Sequence, residues 1–334
     1  MSWTEDPRLA PTLRWGILGP GWIADSFLAA LKAETTQDVV AVGSRSPDRA
    51  QAFASKWDIP AVYNSYADLV GDPKVDVIYV ATPHSHHREH ALEAIAAGKH
   101  VLVEKSFTRN AAEARDVVAA ARAQGVFCME AMWTRFLPHM VTLRKLIADG
   151  AIGDVVNLRA DHGQFFPYQP EHRIYNPDLA GGALLDLGIY PVSFANNILG
   201  TPAKIYAVGA QTPTNVDGQV SMIFTYDSPA QADLSTTLWS HTETSASIAG
   251  TAGRIDIEGM FYAPTSFTLH RLDGTAMSFS KPLTHGLHFQ AAEVARRITA
   301  GETESPLMPL DESVAIMTVL DEIRAQVGVV YPGE

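Results

Sequence analysis

With 334 residues and 46% apolar side chains, the chain is long enough for two domains with substantial cores. A net charge of −12 without any basic cluster argues against nucleic acid or an anionic membrane surface as a partner, and no apolar run reaches membrane-spanning length. The single cysteine, Cys128, excludes an internal disulfide and suits a reducing cytoplasm, while residues 1–12 show neither the basic start nor the apolar stretch of a secretory signal.

The first element is an apolar stretch, Leu13, Trp15, Ile17 and Leu18, that runs into Gly19, Pro20, Gly21, Trp22, Ile23 and Ala24. Ile23, Phe27, Ala30 and Leu31 follow at helical spacing, so the order is strand, glycine turn, helix. In that setting the GxGxxA pattern reads as a dinucleotide fingerprint. Gly19 turns the chain, Gly21 admits a pyrophosphate close to the backbone, and Ala24 lets helix and strand pack; the free N–H groups opening the helix at Trp22 and Ile23 face the phosphates.

Residues 39–43 form a buried-strand run ending in Ser44, Arg45 and Ser46, where the adenosine ribose would lie. No carboxylate stands there to bind a 2′-hydroxyl. Two hydroxyls and a guanidinium suit a 2′-phosphate instead, which favours NADP over NAD. Read more plainly, Arg45 is a solvated loop residue and Ser46 caps a helix whose first residue is Pro47; the two readings are compatible.

Alternation continues with a helix carrying Ala50, Phe53, Ala54 and Trp57, a short strand near Val62, a strand over 75–81, and a helix before the strand 101–103. A helix over 111–123 then leads to the run 126–129, in which Cys128 reads as a buried thiol. This pattern specifies an α/β, doubly wound parallel sheet, a Rossmann domain over residues 1–130. From Ile152 the texture changes to β-like runs at 155–161, 203–211, 220–226, 231–239, 245–249 and 254–258, before helices return at 289–300 and Leu310–Val327. Residues 131–334 therefore read as an α+β domain on a large, open, mostly antiparallel sheet, with a cleft between the two domains.

Two polar segments sit just past strand ends: Thr82, Pro83 and His84 after 75–81, and Glu104 with Lys105 after 101–103. A lysine there, beside a nicotinamide, would hydrogen-bond a substrate oxygen or favour the ionised form of a neighbouring acid; an ion pair or an exposed loop lysine is the plainer alternative. Further on, Gly181 and Gly182 precede a segment in which Asp186 and Tyr190 would share a face if it is helical. Tyrosine exchanges protons near neutrality only when its phenolate is stabilised, so Lys105 and Tyr190 would serve each other. A buried tyrosine bonded to Asp186 would be purely structural. His86 and His90 have one-turn spacing but no accompanying carboxylate or thiol set, so no metal site is expected; His84 and His87 are assigned to the cofactor side instead. Met129, Met132 and Trp133 form either a cofactor wall or core.

Together these residues resemble the glucose-fructose oxidoreductase and inositol dehydrogenase (Gfo/Idh/MocA) family, from Trp15, Gly16, Ile17, Leu18 and Gly19 to Tyr331 and Pro332. Within it the chain looks most like the branch of dimeric dihydrodiol dehydrogenase and NADP-dependent D-xylose dehydrogenase. That likeness rests on Glu130, Ala131, Met132, Trp133, Thr134, Arg135 and Phe136, and on Tyr190, where many branches carry histidine. The resemblance implies Lys105 and Tyr190 as the catalytic pair, Asp186 near the substrate, Trp133 and Arg135 near the cofactor, and a homodimer built on the open sheet. Ser106 stands where the family motif Glu-Lys-Pro has proline, and His84 where much of the family has asparagine. His162, Arg173 and Tyr175, ahead of the glycines, are further candidates for reading a sugar. A regulatory nucleotide-binding protein would have lost the lysine or the tyrosine, and a nicotinamide-dependent redox glycosidase belongs to a distant branch. The expectation is a cytoplasmic oxidoreductase moving a hydride between NADP and a hydroxyl or carbonyl of a sugar, cyclic polyol or dihydrodiol.

Overall fold

A computed structural model describes residues 5–334; the first four residues of the leader read above lie outside them. The chain forms two compact units, Glu5–Phe136 with His285–Val314, and Leu137–Thr284 with Ala315–Glu334. The sequence division at residue 130 is contiguous, whereas the first unit takes back a segment from near the C-terminus.

In that unit the order is β1 (Arg14–Leu18), α1 (Trp22–Glu34), β2 (Asp38–Gly43), α2 (Pro47–Trp57), β3 (Ala61–Tyr63), α3 (Tyr66–Val70) and β4 (Val77–Val80). There follow α4 (His87–Ala96), β5 (His100–Val103), α5 (Ala111–Gln124) and β6 (Cys128–Glu130). The six strands are parallel in the order β3-β2-β1-β4-β5-β6. Strand order reverses between β1 and β4, and the crevice beyond their carboxyl ends is where such sheets bind ligands. Helices on both faces bury the sheet, which is why all four residues of β4 are buried and apolar. Phe27 of α1 packs edge-on to Trp15 and stacks on Tyr79 at 4.1 Å, joining helix to sheet. Asp25 of α1 accepts from Lys56 at 2.6 Å and from the Trp57 indole at 2.9 Å, tying α1 to the end of α2.

The second unit contains α6 (Pro138–Ala148), β7 (Val155–Gly163), a π-helical turn (Leu184–Gly188), α7 (Ile189–Leu199), β8 (Lys204–Gln211) and β9 (Asp217–Thr225). It continues with β10 (Gln231–Thr237), β11 (Ala246–Gly250), β12 (Gly253–Ile257), β13 (Phe267–Arg271) and β14 (Ala276–Phe279). These eight strands form a sheet in the order β14-β13-β12-β11-β7-β10-β9-β8. Pairing is antiparallel except between β7 and β10. One face is covered: Val220, Met222 and Phe224 of β9 are buried while Gln219, Ser221 and Ile223 between them are exposed. The π turn and α7 pack on the covered face against β7 and β10, at the parallel junction.

Strands β13 and β14 lie beyond the β-like runs of the sequence pattern, although Asp273 and Gly274 (φ 83°) between them are a hairpin signal. Helix α8 (His288–Thr299) belongs to the first unit, where it packs against α1 and the turn Trp133–Phe136; α9 is Leu310–Val327.

Candidate functional site

In the first unit the glycine turn has a steric logic. Gly19 has φ +96°, and a Cβ there would lie 2.9 Å from Thr82 Cγ2 and 3.1 Å from the Ala81 carbonyl, so the β1–α1 turn lies against the loop after β4. Gly21, the N-terminal cap of α1, differs: an added Cβ would meet only the Ala81 carbonyl, at an ordinary 3.9 Å. The chain's own packing does not demand glycine there, which leaves the room that a phosphate at the helix N-terminus requires. Ala24 is fully buried and Trp22 is 78% exposed at the helix start.

At the end of β2, Ser44 is buried and its hydroxyl accepts the Ser46 N–H at 3.1 Å, while Arg45 is exposed. Ser46 caps α2 in position, with Pro47 as the first helical residue, but its hydroxyl makes no capping bond. It is thereby left to the loop.

Beyond β4 and β5 the histidine run acts on main chain. His87, fully buried, points Nε2 at the Thr82 carbonyl (2.7 Å) and Nδ1 at the Ser106 carbonyl (2.9 Å). Burial lowers its pKa against the opposing pull of those carbonyls. Expected on the cofactor side, His87 instead sits with one ring nitrogen facing each of these carbonyls, between the Thr82 loop and the turn after Lys105, and its neutral ring donates to one of the two. His84 Nε2 lies 3.2 Å from the Lys105 carbonyl. His90 faces the Thr82 hydroxyl at 3.0 Å, and burial pushes its pKa down to about 4. No group of three or more His, Cys, Asp or Glu side chains among the described residues is placed to hold a metal ion.

The Lys105–Ser106 peptide bond is cis. Glu104 is buried, bonded to the Tyr79 hydroxyl and to the Lys105 N–H. Two residues on, the Phe107 N–H goes to Glu130 Oε1 at 3.1 Å, and Ser313 donates to Glu130 Oε2 at 2.8 Å. Burial pushes the Glu130 carboxyl up to about 7, offset in part by Ser313 and the positive charge of Arg135. Arg135, expected near the cofactor, is buried in an ion pair with Glu312 at 2.7 Å and ties the turn Trp133–Phe136 to the first turn of α9 and, through the Leu307 carbonyl, to the segment before it. Trp133 is half-buried, and Met129 and Met132 are core. Cys128 is buried, its thiol pushed up to about 12 by desolvation.

In the second unit close backbone approach again aims the side chains. A Cβ on Gly181 would stand 2.6 Å from the carbonyls of Arg173 and Ile174; one on Gly182 (φ +117°) would stand 2.3 Å from Asp217 Oδ1. The loop carrying Arg173 is thereby docked on the segment carrying Asp186, and Arg173 grips that carboxylate with two bonds of 2.9 and 3.2 Å. Asp186 and Tyr190 were expected to share a face of an α-helix. Asp186 lies instead in the π turn, in which the Ile189 N–H reaches back five residues to Leu184, and Tyr190 stands in the first turn of α7 that follows it. Pro191 has no N–H to return to the Leu187 carbonyl, which faces His162 Nδ1 at 3.2 Å. That contact assigns the proton of a neutral His162 to Nδ1 and makes Nε2 its acceptor.

Tyr262, which no sequence periodicity marked, stacks on Tyr190 at 4.3 Å and on His162 at 4.5 Å. It holds the Tyr190 ring from one side. Tyr175, a sequence candidate for substrate binding, is 1% exposed in a cluster with Ile174, Ala183, Leu187 and Leu238, and its hydroxyl donates to the Phe166 carbonyl at 2.7 Å. It is core.

Comparison with known proteins follows this division. Residues 13–132 match the model of an oxidoreductase family with an NAD-binding Rossmann fold, and 140–256 match the GFO/IDH/MocA C-terminal domain. The trans-1,2-dihydrobenzene-1,2-diol dehydrogenase of Mus musculus is 39% identical, covering 96% of this chain and 98% of the relative. The NADP-dependent D-xylose 1-dehydrogenase of Hypocrea jecorina is 35% identical over 96% of this chain and 93% of its own. Among solved structures, a 3-ketoreductase of Actinomadura kijaniata in complex with NADP and TDP-benzene superposes with a TM-score of 0.84 at 27% identity, covering 95% and 98% of the two chains.

Two outcomes follow from this geometry. Gly21→Ala should fold with unchanged thermal stability and lose about tenfold or more in dinucleotide affinity, because its methyl intrudes only where a pyrophosphate approaches; calorimetric titration with NADPH beside a melting curve checks it, and unchanged affinity would refute the assignment. Glu130, raised by burial from 4.5 to about 7, binds more protons folded than unfolded between those values. Its contribution to stability is therefore full below about pH 4.5 and lost as pH rises through 7, and denaturant titrations of Glu130→Gln should show a flatter pH dependence across that window.

Proposed function

Because the chain belongs to the Gfo/Idh/MocA family of oxidoreductases, we propose that it transfers a hydride between NADP and a hydroxyl or carbonyl carbon of a sugar, cyclic polyol or dihydrodiol, with Tyr190 exchanging the proton. The observation that carries the residue assignment is the segment 184–190. It presents an acid clamped by Arg173 and, four residues on, a tyrosine whose ring is stacked on Tyr262. The relatives named for a dihydrodiol and for D-xylose support the substrate class, since both substrates offer vicinal hydroxyls.

Residues at the carboxyl ends of β1, β2 and β4 fit the cofactor. The room at Gly21 and the N–H groups opening α1 suit its pyrophosphate. Ser44, Arg45 and Ser46, with no carboxylate among them, suit a 2′-phosphate; Thr82, Pro83, His84, Glu104 and Trp133 complete the assignment. When bound, the nicotinamide supplies the hydride acceptor or donor.

Tyr190 takes the hydroxyl proton during oxidation and returns it during reduction. Lys105 is assigned to the same reaction, its ammonium polarising the substrate oxygen. Asp186, held by its two bonds to Arg173, accepts from a neighbouring hydroxyl, and His162 is a further candidate for reading the substrate. No helix of the described residues is long and apolar enough to cross a membrane. A cytoplasmic location, in keeping with the lone buried thiol, and a homodimer on the exposed face carrying Tyr206, Val208 and Ile223 belong to the same proposal.

Tyr190→Phe should bind NADPH as the wild type does while turnover falls roughly 100-fold or more, the scale of lost acid–base catalysis; nicotinamide absorbance over a panel of aldoses, inositols and dihydrodiols reads it, and wild-type rates would end the assignment. Arg45→Ala should weaken NADP binding by about tenfold and leave NAD binding nearly unchanged, because only NADP carries the phosphate. Equal losses for the two cofactors in parallel titrations would refute the preference.

A further inference from the structure

The π turn that carries Asp186 begins at Leu184, and its preceding residue, Ala183, has no side chain with which to cap it. The first N–H groups of any helix lack partners within it. Here the partner arrives from the sheet. Asp217, the first residue of β9 and 1% exposed, accepts the Leu184 N–H on Oδ2 at 2.5 Å, while Oδ1 has no hydrogen-bond partner among the described residues. Gly182, at φ +117°, makes way for that carboxylate, since a Cβ would collide with Oδ1 at 2.3 Å.

The same stretch is held on its other side. Tyr331 donates to the Gly181 carbonyl at 2.6 Å, and its ring is covered by the Arg324 guanidinium, itself held by Glu334 at 2.8 and 2.9 Å. Thr236 of β10 approaches Gly188, where a Cβ would sit 3.0 Å from its methyl. Asp217 is thus the one charged side chain in this set that bonds the turn itself, two residues before Asp186 and six before Tyr190.

We propose that Asp217 is a positioning residue: by capping the turn at Leu184 it fixes where Asp186 and Tyr190 project. This rests on the reading of Tyr190 and Asp186 given above. A negative charge at the start of a helical segment also complements its dipole, so the cap acts by hydrogen bond and by field together. Asparagine can keep the hydrogen bond; alanine keeps neither.

The test compares D217A, D217N, Y190F and the wild type by three readouts: amide hydrogen exchange over 183–190, kcat and KM with D-xylose and with the trans-dihydrodiol of benzene, and NADPH affinity. D217A should speed exchange in that segment by about tenfold or more and lower kcat by roughly tenfold or more, as misplacement of reacting groups does, with NADPH affinity unchanged. D217N should stay within about threefold of the wild type in both exchange and kcat, since the bond is retained. Unchanged exchange in folded D217A overturns the proposal. So does faster exchange with wild-type kcat when Y190F is inactive, and so does D217N failing as badly as D217A. If Y190F itself keeps full activity, the reading of Tyr190 fails and exchange alone decides whether Asp217 fixes the turn. Should D217A not fold, D217S, whose hydroxyl falls short of Leu184, carries the same expectations.

Discussion

Main chain passing its neighbours closer than a Cβ permits is the constraint on which both units depend. At Gly19 it brings the β1–α1 turn against the loop after β4, so that the helix N-terminus and Thr82 lie at the switch point of the parallel sheet. At Gly181 and Gly182 it docks the Arg173 loop and the start of β9 onto the segment with Asp186 and Tyr190. In each place the glycines are where they are because a neighbour needs the space. Gly21 stands apart, since its neighbours within the chain leave room to spare.

Close approach leaves main-chain donors and acceptors away from water, and buried polar side chains answer them. His87 answers one of the two carbonyls it faces, those of Thr82 and Ser106, Glu130 serves the Phe107 N–H, and Asp217 serves the Leu184 N–H. All three are titratable and nearly or fully buried, and burial shifts each of them toward its neutral form. A perturbed ionisation in this protein therefore marks a fastening of backbone as readily as a reacting group. The candidates for chemistry, Lys105 and Tyr190, stand on the segments so fastened.

The two units also differ in how they aim a side chain. In the Rossmann unit topology brings the loops after parallel strands together, small residues let them approach, and buried side chains such as His87 and Glu130 hold them. In the second unit the sheet offers only a broad covered face, and direction comes from a π turn, from Pro191 withholding an N–H, and from aromatic stacking of Tyr262 on Tyr190 and His162. A turn bonded at five residues rather than four shifts what a carboxylate and a tyrosine four apart can reach.

What the sequence by itself determined is what near neighbours decide. Apolar runs of strand length separated by helical periods specify a parallel sheet with covering helices, and the spacing of Gly19, Gly21 and Ala24 between a strand and a helix marks the dinucleotide turn. The absence of a carboxylate at residues 44–46 was readable in the same way. Tertiary structure alone decided the partners that lie far apart in the chain. Asp217 reaches Leu184 across 33 residues and Ser313 reaches Glu130 across 183, and no period of two or 3.6 carries that information. It likewise decided that Tyr175 and Arg135 are bound into their own units, that residues 285–314 return to the first unit, and that β7 pairs in parallel with β10. Local pattern fixes which face of an element is buried; which residue meets which across that face is set only when the elements pack.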